Sequence, residues 1–192
     1  NQGKTMPILA TRGCPYQCTY CASPNMWTTR WYARDPVDVV DEMEHYKRVY
    51  GATNFPFQDL TAILKRDWII DFCNELKRRD LGVTWQFPSG TRCEVIDDEV
   101  ARLLAETLVT YSCNVQPGEK ILIELIDIPH EFAVECVRAA HAAGAQPLVE
   151  LKSMPVTRAL MLAGSDGQWG LVADVERLRM ENVQCYLGLR GS

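Results

Sequence analysis

The chain has 192 residues, 47% hydrophobic and 23% charged, with a formal net charge of −5. This composition excludes a disordered or collagen-like chain, and the length admits one large domain or two small ones. The mild acidity gives no electrostatic footprint for a nucleic-acid backbone. The apolar run at 121–128 is too short and too often charged to span a bilayer. No secretory signal pattern is read at the start, and Asn1 in place of an initiator Met reads as a trimmed beginning.

Taken in chain order, short apolar runs alternate with helix-period segments. A strand is expected at 7–11, followed by a loop carrying three cysteines. A helix then presents Val39, Met43, Tyr46 and Tyr50 on one face and stops at Gly51, a residue suited to the left-handed turn that closes helices. A strand at 54–58 precedes a helix with Trp68, Phe72 and Leu76 on its stripe, and a third strand follows at 83–87. The next helix carries Ile96, Val100, Leu103, Leu104, Leu108 and Tyr111, with Asp97 and Asp98 at its positive N-terminal end. Strands at 120–125, 146–151 and 184–189 complete the set. They are separated by a helix with Phe132, Cys136 and Ala140, closed by Gly144, and by another at 171–180. About six strands alternating with helices predict an α/β fold of mostly parallel strands, as a partial (β/α) barrel or an open sheet.

Thirteen of the seventeen aromatic residues lie in 1–107, whereas net charge is −2 there and −3 in 108–192. The two parts therefore differ in packing style and not in electrostatic character. No Gly-, Pro- or Ser-rich linker separates them, so a boundary between domains 1–106 and 107–192 falls inside the third long helix.

The chain has eight cysteines. Its length and helical content argue against a disulfide scaffold and for a reducing, cytoplasmic setting with one metal-binding cluster. Cys14, Cys18 and Cys21 sit in the segment Arg12-Gly13-Cys14-Pro15-Tyr16-Gln17-Cys18-Thr19-Tyr20-Cys21, directly after the first strand. Thiolates suit both zinc and iron–sulfur clusters. Structural zinc wants a fourth ligand, and no nearby His or Cys supplies one. A four-iron cluster on three cysteines keeps one iron open for a small molecule. Spacing alone leaves the cluster, zinc and no metal all open.

The stretch 6–21 resembles the CxxxCxxC signature loop of the radical S-adenosylmethionine (SAM) superfamily, and Arg12-Gly13-Cys14-Pro15-Tyr16 is similar to its cobalamin-binding-domain subgroup. The resemblance covers about residues 4–106, three of the six βα units of such a domain. It implies a [4Fe–4S] cluster on Cys14, Cys18 and Cys21, with SAM chelated at the open iron and Tyr20 beside its adenine. It further implies reductive cleavage of SAM to a 5′-deoxyadenosyl radical that attacks a small-molecule substrate, here unknown. An electron donor such as flavodoxin or ferredoxin is implied too, and cobalamin only through a domain outside this chain. After the second strand, Phe57-Gln58-Asp59-Leu60-Thr61 is similar to the acidic motif that receives the SAM amino group, although Gln58 departs from its consecutive acids. After the third, Ser89-Gly90-Thr91-Arg92 resembles the stretch from which a polar side chain and an Arg approach SAM. All three segments begin where a parallel strand ends, the rim on which α/β proteins collect ligands. Read singly, Asp59 as a turn acid, Arg92 as a surface cation and Ser89-Gly90 as a plain turn remain open.

From about 103 to 192 the chain resembles the N-terminal domain of M29-type thermophilic aminopeptidases, through Gln116-Pro117-Gly118-Glu119-Lys120 entering a strand. No residue here matches that family's metal ligands. On these resemblances the chain reads as a chimera or truncation of two incomplete parents, joined through a helix that keeps its stripe from Asp97 to Tyr111. Six strands would then form one continuous sheet. His130 with Glu131 and Glu135 reads as a solvated first helical turn, and His45 and His141 as helix residues. Cys73, Cys113, Cys136 and Cys185 read as small buried hydrophobes, and nothing in the spacing of Cys93 makes it a ligand. Three functions follow: an iron–sulfur SAM-dependent protein, a non-catalytic aminopeptidase-related domain, or a zinc-stabilised α/β scaffold. Oligomeric state is not legible.

Overall fold

A computed structural model of the chain describes residues 3–89 and 95–191. The chain divides into two compact units, Asn1–Thr107 and Leu108–Ser192. The first contains β1 (Lys4–Thr5), β2 (Thr11–Arg12), α1 (Ser23–Trp27), β3 (Tyr32–Ala33), α2 (Pro36–Tyr50), β4 (Ala52–Pro56), α3 (Arg66–Arg79), β5 (Thr84–Gln86) and α4 (Asp98–Thr107). The second opens with a π-helical turn, Leu108–Ser112. It continues through β6 (Lys120–Ile126), α5 (His130–Ala142), β7 (Gln146–Lys152), α6 (Met154–Ala163), α7 (Asp166–Glu181) and β8 (Cys185–Arg190).

The fold is α/β with parallel strands alternating with helices, as the periodicity predicts. The six parallel strands do not, however, join into one sheet. They form two three-stranded sheets, ordered β1-β4-β5 and β7-β6-β8, and β2 pairs antiparallel with β3 in a separate ribbon. No closed barrel is present among the described residues.

In the first unit the chain runs along β4 and then leaves it. Met6 and Ile8 donate their N–H groups to Asn54 and Pro56 of β4, so Pro7 falls where its missing N–H faces away from the ladder. An edge strand tolerates that proline. By Thr11 the backbone has turned to pair with Ala33, and the single strand expected at 7–11 is thereby divided. Asn54, 3% exposed in the central strand, donates to the Thr5 hydroxyl at 3.1 Å and accepts from the Thr84 hydroxyl at 2.8 Å. It thus ties β4 to both neighbours.

The helices form where the sequence caps them. Asp35 accepts from Val37 N at 2.8 Å at the start of α2, and Gly51 ends it with a φ of 65° and an N–H bonded to Lys47 O. Asp97 accepts from Val100 N at 2.9 Å at the start of α4. Trp68, Ile69, Phe72, Cys73 and Leu76 of α3 are buried. Phe72 meets Phe57 and Trp85 edge-on and stacks on Trp68, placing an aromatic core behind the ends of β4 and β5. Such ring pairs add about 0.5–1.5 kcal/mol each beyond their buried area. On α2, Val39, Val40 and Met43 are buried but Tyr50 is 51% exposed, so the expected stripe ends earlier than its periodicity suggests.

In the second unit β6 lies at the centre of its sheet and buries Ile121, Leu122, Ile123, Leu125 and Ile126. Ala133, Cys136, Ala139 and Ala140 of α5 are buried. α6 and α7 bury no residue. The α-helical winding of the third long helix ends at Thr107, and residues 108–112 wind as a π turn, so the expected helix is not uniform to Tyr111. Among the described residues no helix is long and apolar enough to cross a membrane.

Candidate functional site

The cysteine loop begins immediately after β2. Gly13 makes its first turn with a φ of +81°, and a Cβ there would meet the Arg30 carbonyl oxygen at 1.9 Å. Only glycine fits that close backbone approach. Cys14 and Cys18 are half-buried, Cys21 is exposed, and none of the three is disulfide-bonded. Cys21 N–H donates to Cys18 O at 3.0 Å, and Ser23 N–H donates to Cys21 Sγ at 3.4 Å. The Ser23 hydroxyl is buried with no partner of its own.

The loop after β4 fastens this segment from below. Asp59 is 1% exposed, and its carboxylate accepts from Ala10 N at 3.3 Å, from Thr11 N, and from the Thr11 hydroxyl at 2.5 Å. Burial pushes the Asp59 carboxyl above its ordinary value, while the Thr11 and Ala10 bonds pull the other way. Two residues on, Thr61 is 4% exposed and its hydroxyl donates to Cys14 Sγ at 3.3 Å. Trp31 Nε1 donates to Thr61 O at 2.9 Å. Asp59 and Thr61 thus clamp both the strand that feeds the cysteine loop and its first sulfur.

The residues expected from the sequence fall into three groups. Cys14, Cys18 and Cys21 share one short loop, and Asp59 lies beneath its entrance. The Asp59 carboxylate accepts from the backbone of Ala10 and Thr11 and from the Thr11 hydroxyl. Tyr20 is 92% exposed and Ser89 is exposed in the turn after β5. Arg92, with Gly90 and Cys93, lies outside the described residues. Gly13, Thr11, Trp31 and Thr61 were not singled out by sequence reasoning. Gly13 carried a usable signal, a glycine against the first ligand of a tight loop; a threonine two residues past an acid carried none.

The donor chemistry fits a metal centre of three thiolates. Tetrahedral zinc with Zn–S bonds of about 2.3 Å holds its sulfurs about 3.8 Å apart. Among the described residues, the groups of three metal-ligand side chains whose ligand atoms all lie within 4.8 Å include Glu124, Glu150 and Glu176 but not the three cysteines. Three thiolates are also the donor set that a four-iron cluster would take.

The acidic trio is already served by a side chain. Lys152 Nζ bonds Glu124 and, at 2.9 Å, Glu176, and Arg179 reaches Glu150 at 2.6 Å. His130 is exposed as the first residue of α5, and Glu135 pairs with Arg138. Burial pushes the thiols of Cys73 and Cys136 up to about 12, as befits packing residues, whereas Cys113 and Cys185 are only half-buried, contrary to expectation.

An α/β chain with a three-thiol loop at the end of a strand defines a class, and sequence comparison specifies it. The Radical SAM superfamily model matches residues 8–157, and the chain belongs to that superfamily. The match implies a [4Fe–4S] cluster and SAM. It also runs on past 106, through β6, α5 and β7, so the likeness does not end in the third long helix. The comparisons give no support to an aminopeptidase relationship or to a junction of two parents. One relative is the anaerobic magnesium-protoporphyrin IX monomethyl ester cyclase of Rubrivivax gelatinosus, 28% identical over 66% of this chain and 23% of that protein. Another is the cytidylyl-2-hydroxyethylphosphonate methyltransferase of Streptomyces wedmorensis, 32% identical over 64% of this chain and 23% of that protein. A third is an uncharacterized methyltransferase of Pyrococcus horikoshii, 24% identical over 73% of this chain and 31% of that protein. The chain thus spans less than a third of the length of each.

Proposed function

We propose that the first unit holds a [4Fe–4S] cluster through Cys14, Cys18 and Cys21 and binds SAM at the iron the three thiolates leave open. The observation that carries this reading is the cysteine loop itself: three cysteines outside any disulfide on one short loop, its entrance held by buried Asp59 and its first sulfur touched by Thr61. When bound, the cluster supplies the electron that cleaves SAM reductively to a 5′-deoxyadenosyl radical. The protein's own part would be to hold the thiolates and orient the cofactor. Tyr20, exposed at the loop surface, would lie beside the adenine. Ser89, exposed in the turn after β5, and Arg92, from the same stretch of sequence, would be further SAM-binding residues. Asp59 fixes the backbone at the loop entrance and would be the acid on the side of the SAM amino group.

The Arg12-Gly13-Cys14-Pro15-Tyr16 run resembles the cobalamin-binding-domain subgroup, and that resemblance is what supports cobalamin, through a domain outside this chain. The substrate is a small molecule, and a flavodoxin- or ferredoxin-like donor delivers the electron in a cytoplasmic setting. No peptidase activity is proposed for residues 103–192, and zinc is the competing metal for the cysteine loop. The test is anaerobic reconstitution followed by SAM titration. A reduced-cluster EPR signal that changes on SAM addition, and is lost in Cys18→Ala, is expected. A protein that acquires no iron–sulfur absorption overturns the reading.

A further inference from the structure

We infer that Thr61 is the hydrogen-bond donor to the Cys14 thiolate and so tunes the ease with which the bound cluster is reduced. This inference rests on the function proposed above and deepens it.

It comes from matching donors to acceptors around the clamp. The Thr11 hydroxyl has one proton and two acceptors in range, Asp59 Oδ1 at 2.5 Å and Thr61 O at 3.1 Å. A carboxylate outcompetes a neutral carbonyl, so that proton goes to Asp59. Thr61 O is not left wanting, because Trp31 Nε1 donates to it at 2.9 Å. The Thr61 hydroxyl then has its own single proton to place, with Leu60 O at 2.9 Å and Cys14 Sγ at 3.3 Å in reach. A cysteine that ligates metal does so as the thiolate. The charged sulfur is then the stronger acceptor, and charge-assisted hydrogen bonds are roughly twice as strong as neutral ones. Thr61 is 4% exposed, so water does not compete for the proton.

Hydrogen bonds to ligand sulfur are among the levers by which a protein sets the potential of an iron–sulfur cluster. Reduction adds one electron to the cluster and makes its sulfurs stronger acceptors. A donor at Cys14 therefore stabilises the reduced state more than the oxidised one. Removing it shifts the potential to more negative values. Thr61 touches a ligand and not the reacting atoms, and is accordingly a positioning and tuning residue.

The experiment is an anaerobic redox titration of the reconstituted full chain, read by EPR, for wild type, Thr61→Val, Thr61→Ala and Thr61→Ser. Thr61→Val preserves shape and deletes the hydroxyl. At a fixed solution potential near the wild-type midpoint, its reduced-to-oxidised ratio is expected to fall about threefold to tenfold, on the scale of a charge-assisted hydrogen bond partly lost. Thr61→Ser, which restores the hydroxyl, is expected to return the ratio to near wild type. Thr61→Ala gives the same readout should the valine variant fold poorly. A cluster that loads in wild type and in an apolar variant with unchanged potential overturns the inference and leaves the cluster assignment standing. A wild-type chain that takes up no iron and sulfide overturns both.

Discussion

The two units solve the burial problem differently. The first surrounds its sheet with large rings: Phe55, Phe57 and Phe72 are essentially inaccessible, and α2, α3 and α4 each bury a face. The second concentrates its core in β6 and the small residues of α5, while α6 and α7 leave Leu160, Leu162, Leu171 and Leu178 in solvent. Fully burying a large apolar side chain contributes about 1.5–3 kcal/mol, and in the first unit several of those side chains are aromatic rings. The cysteine loop is built on that unit. A loop that must hold three thiolates in fixed geometry gains from a stiff aromatic floor.

Substitutions can break this contrast. The largest effect is expected for Phe72→Ala, which removes a ring packed on Trp68, Phe57 and Trp85 and costs about 3–5 kcal/mol. Urea unfolding followed by tryptophan fluorescence checks it, since Trp68 and Trp85 report the first unit's core. Next is Asp59→Asn, which turns an amide NH2 toward donors that need an acceptor and costs about 1–3 kcal/mol. The wild-type Asp59 carboxyl is raised by burial, so between its unfolded and folded values the native state binds more protons than the unfolded state. Its contribution to stability therefore falls as pH rises through that window and is level above it. The asparagine variant is expected to lack this slope in pH-dependent unfolding.

In the second unit, Lys152→Met leaves Glu124, Glu150 and Glu176 facing one another without their shared ammonium. These side chains are partly solvated, so the cost is about 1–2 kcal/mol at neutral pH. Wild-type Glu124 titrates below its ordinary value: burial acts to raise it, but Lys152 and Tyr186 prevail. Its stabilisation is present above the unfolded value and lost as pH falls through the folded one. The methionine variant should reverse the sign, gaining stability on acidification as the repelling carboxylates protonate. The smallest effect is expected for Leu160→Ala or Leu178→Ala, within about 0.5 kcal/mol of wild type, because those side chains already lie in solvent. A loss of several kcal/mol there would mean the second unit buries what the structure exposes. Thiol labelling sharpens the same contrast without mutation. Exposed Cys21 should alkylate rapidly near pH 8, while Cys73 and Cys136, each 0% exposed, stay protected until unfolding.

Much of the fold was legible because periodicity carries burial. The strands expected at 120–125, 146–151 and 184–189 appear as Lys120–Ile126, Gln146–Lys152 and Cys185–Arg190, and Trp68, Phe72 and Leu76 of the expected α3 stripe are buried, together with Ile69 and Cys73. Sheet membership was not legible. Alternation says that strands are parallel but not which strand neighbours which, and one continuous sheet proved to be two. The single strand at 7–11 failed for a local reason, the change of pairing partner between Ile8 and Thr11. In the site, cysteine spacing announced the loop. The Asp59 clamp and the Thr61 contact depend on segments about fifty residues apart meeting at a strand end, which spacing cannot reveal.

The most direct measurement is elemental analysis of the chain after anaerobic reconstitution with iron, sulfide and zinc all offered. The account predicts about four irons and four sulfides per chain, lost in Cys14→Ala. Stoichiometric zinc without sulfide, or iron content unchanged by Cys14→Ala, would contradict it.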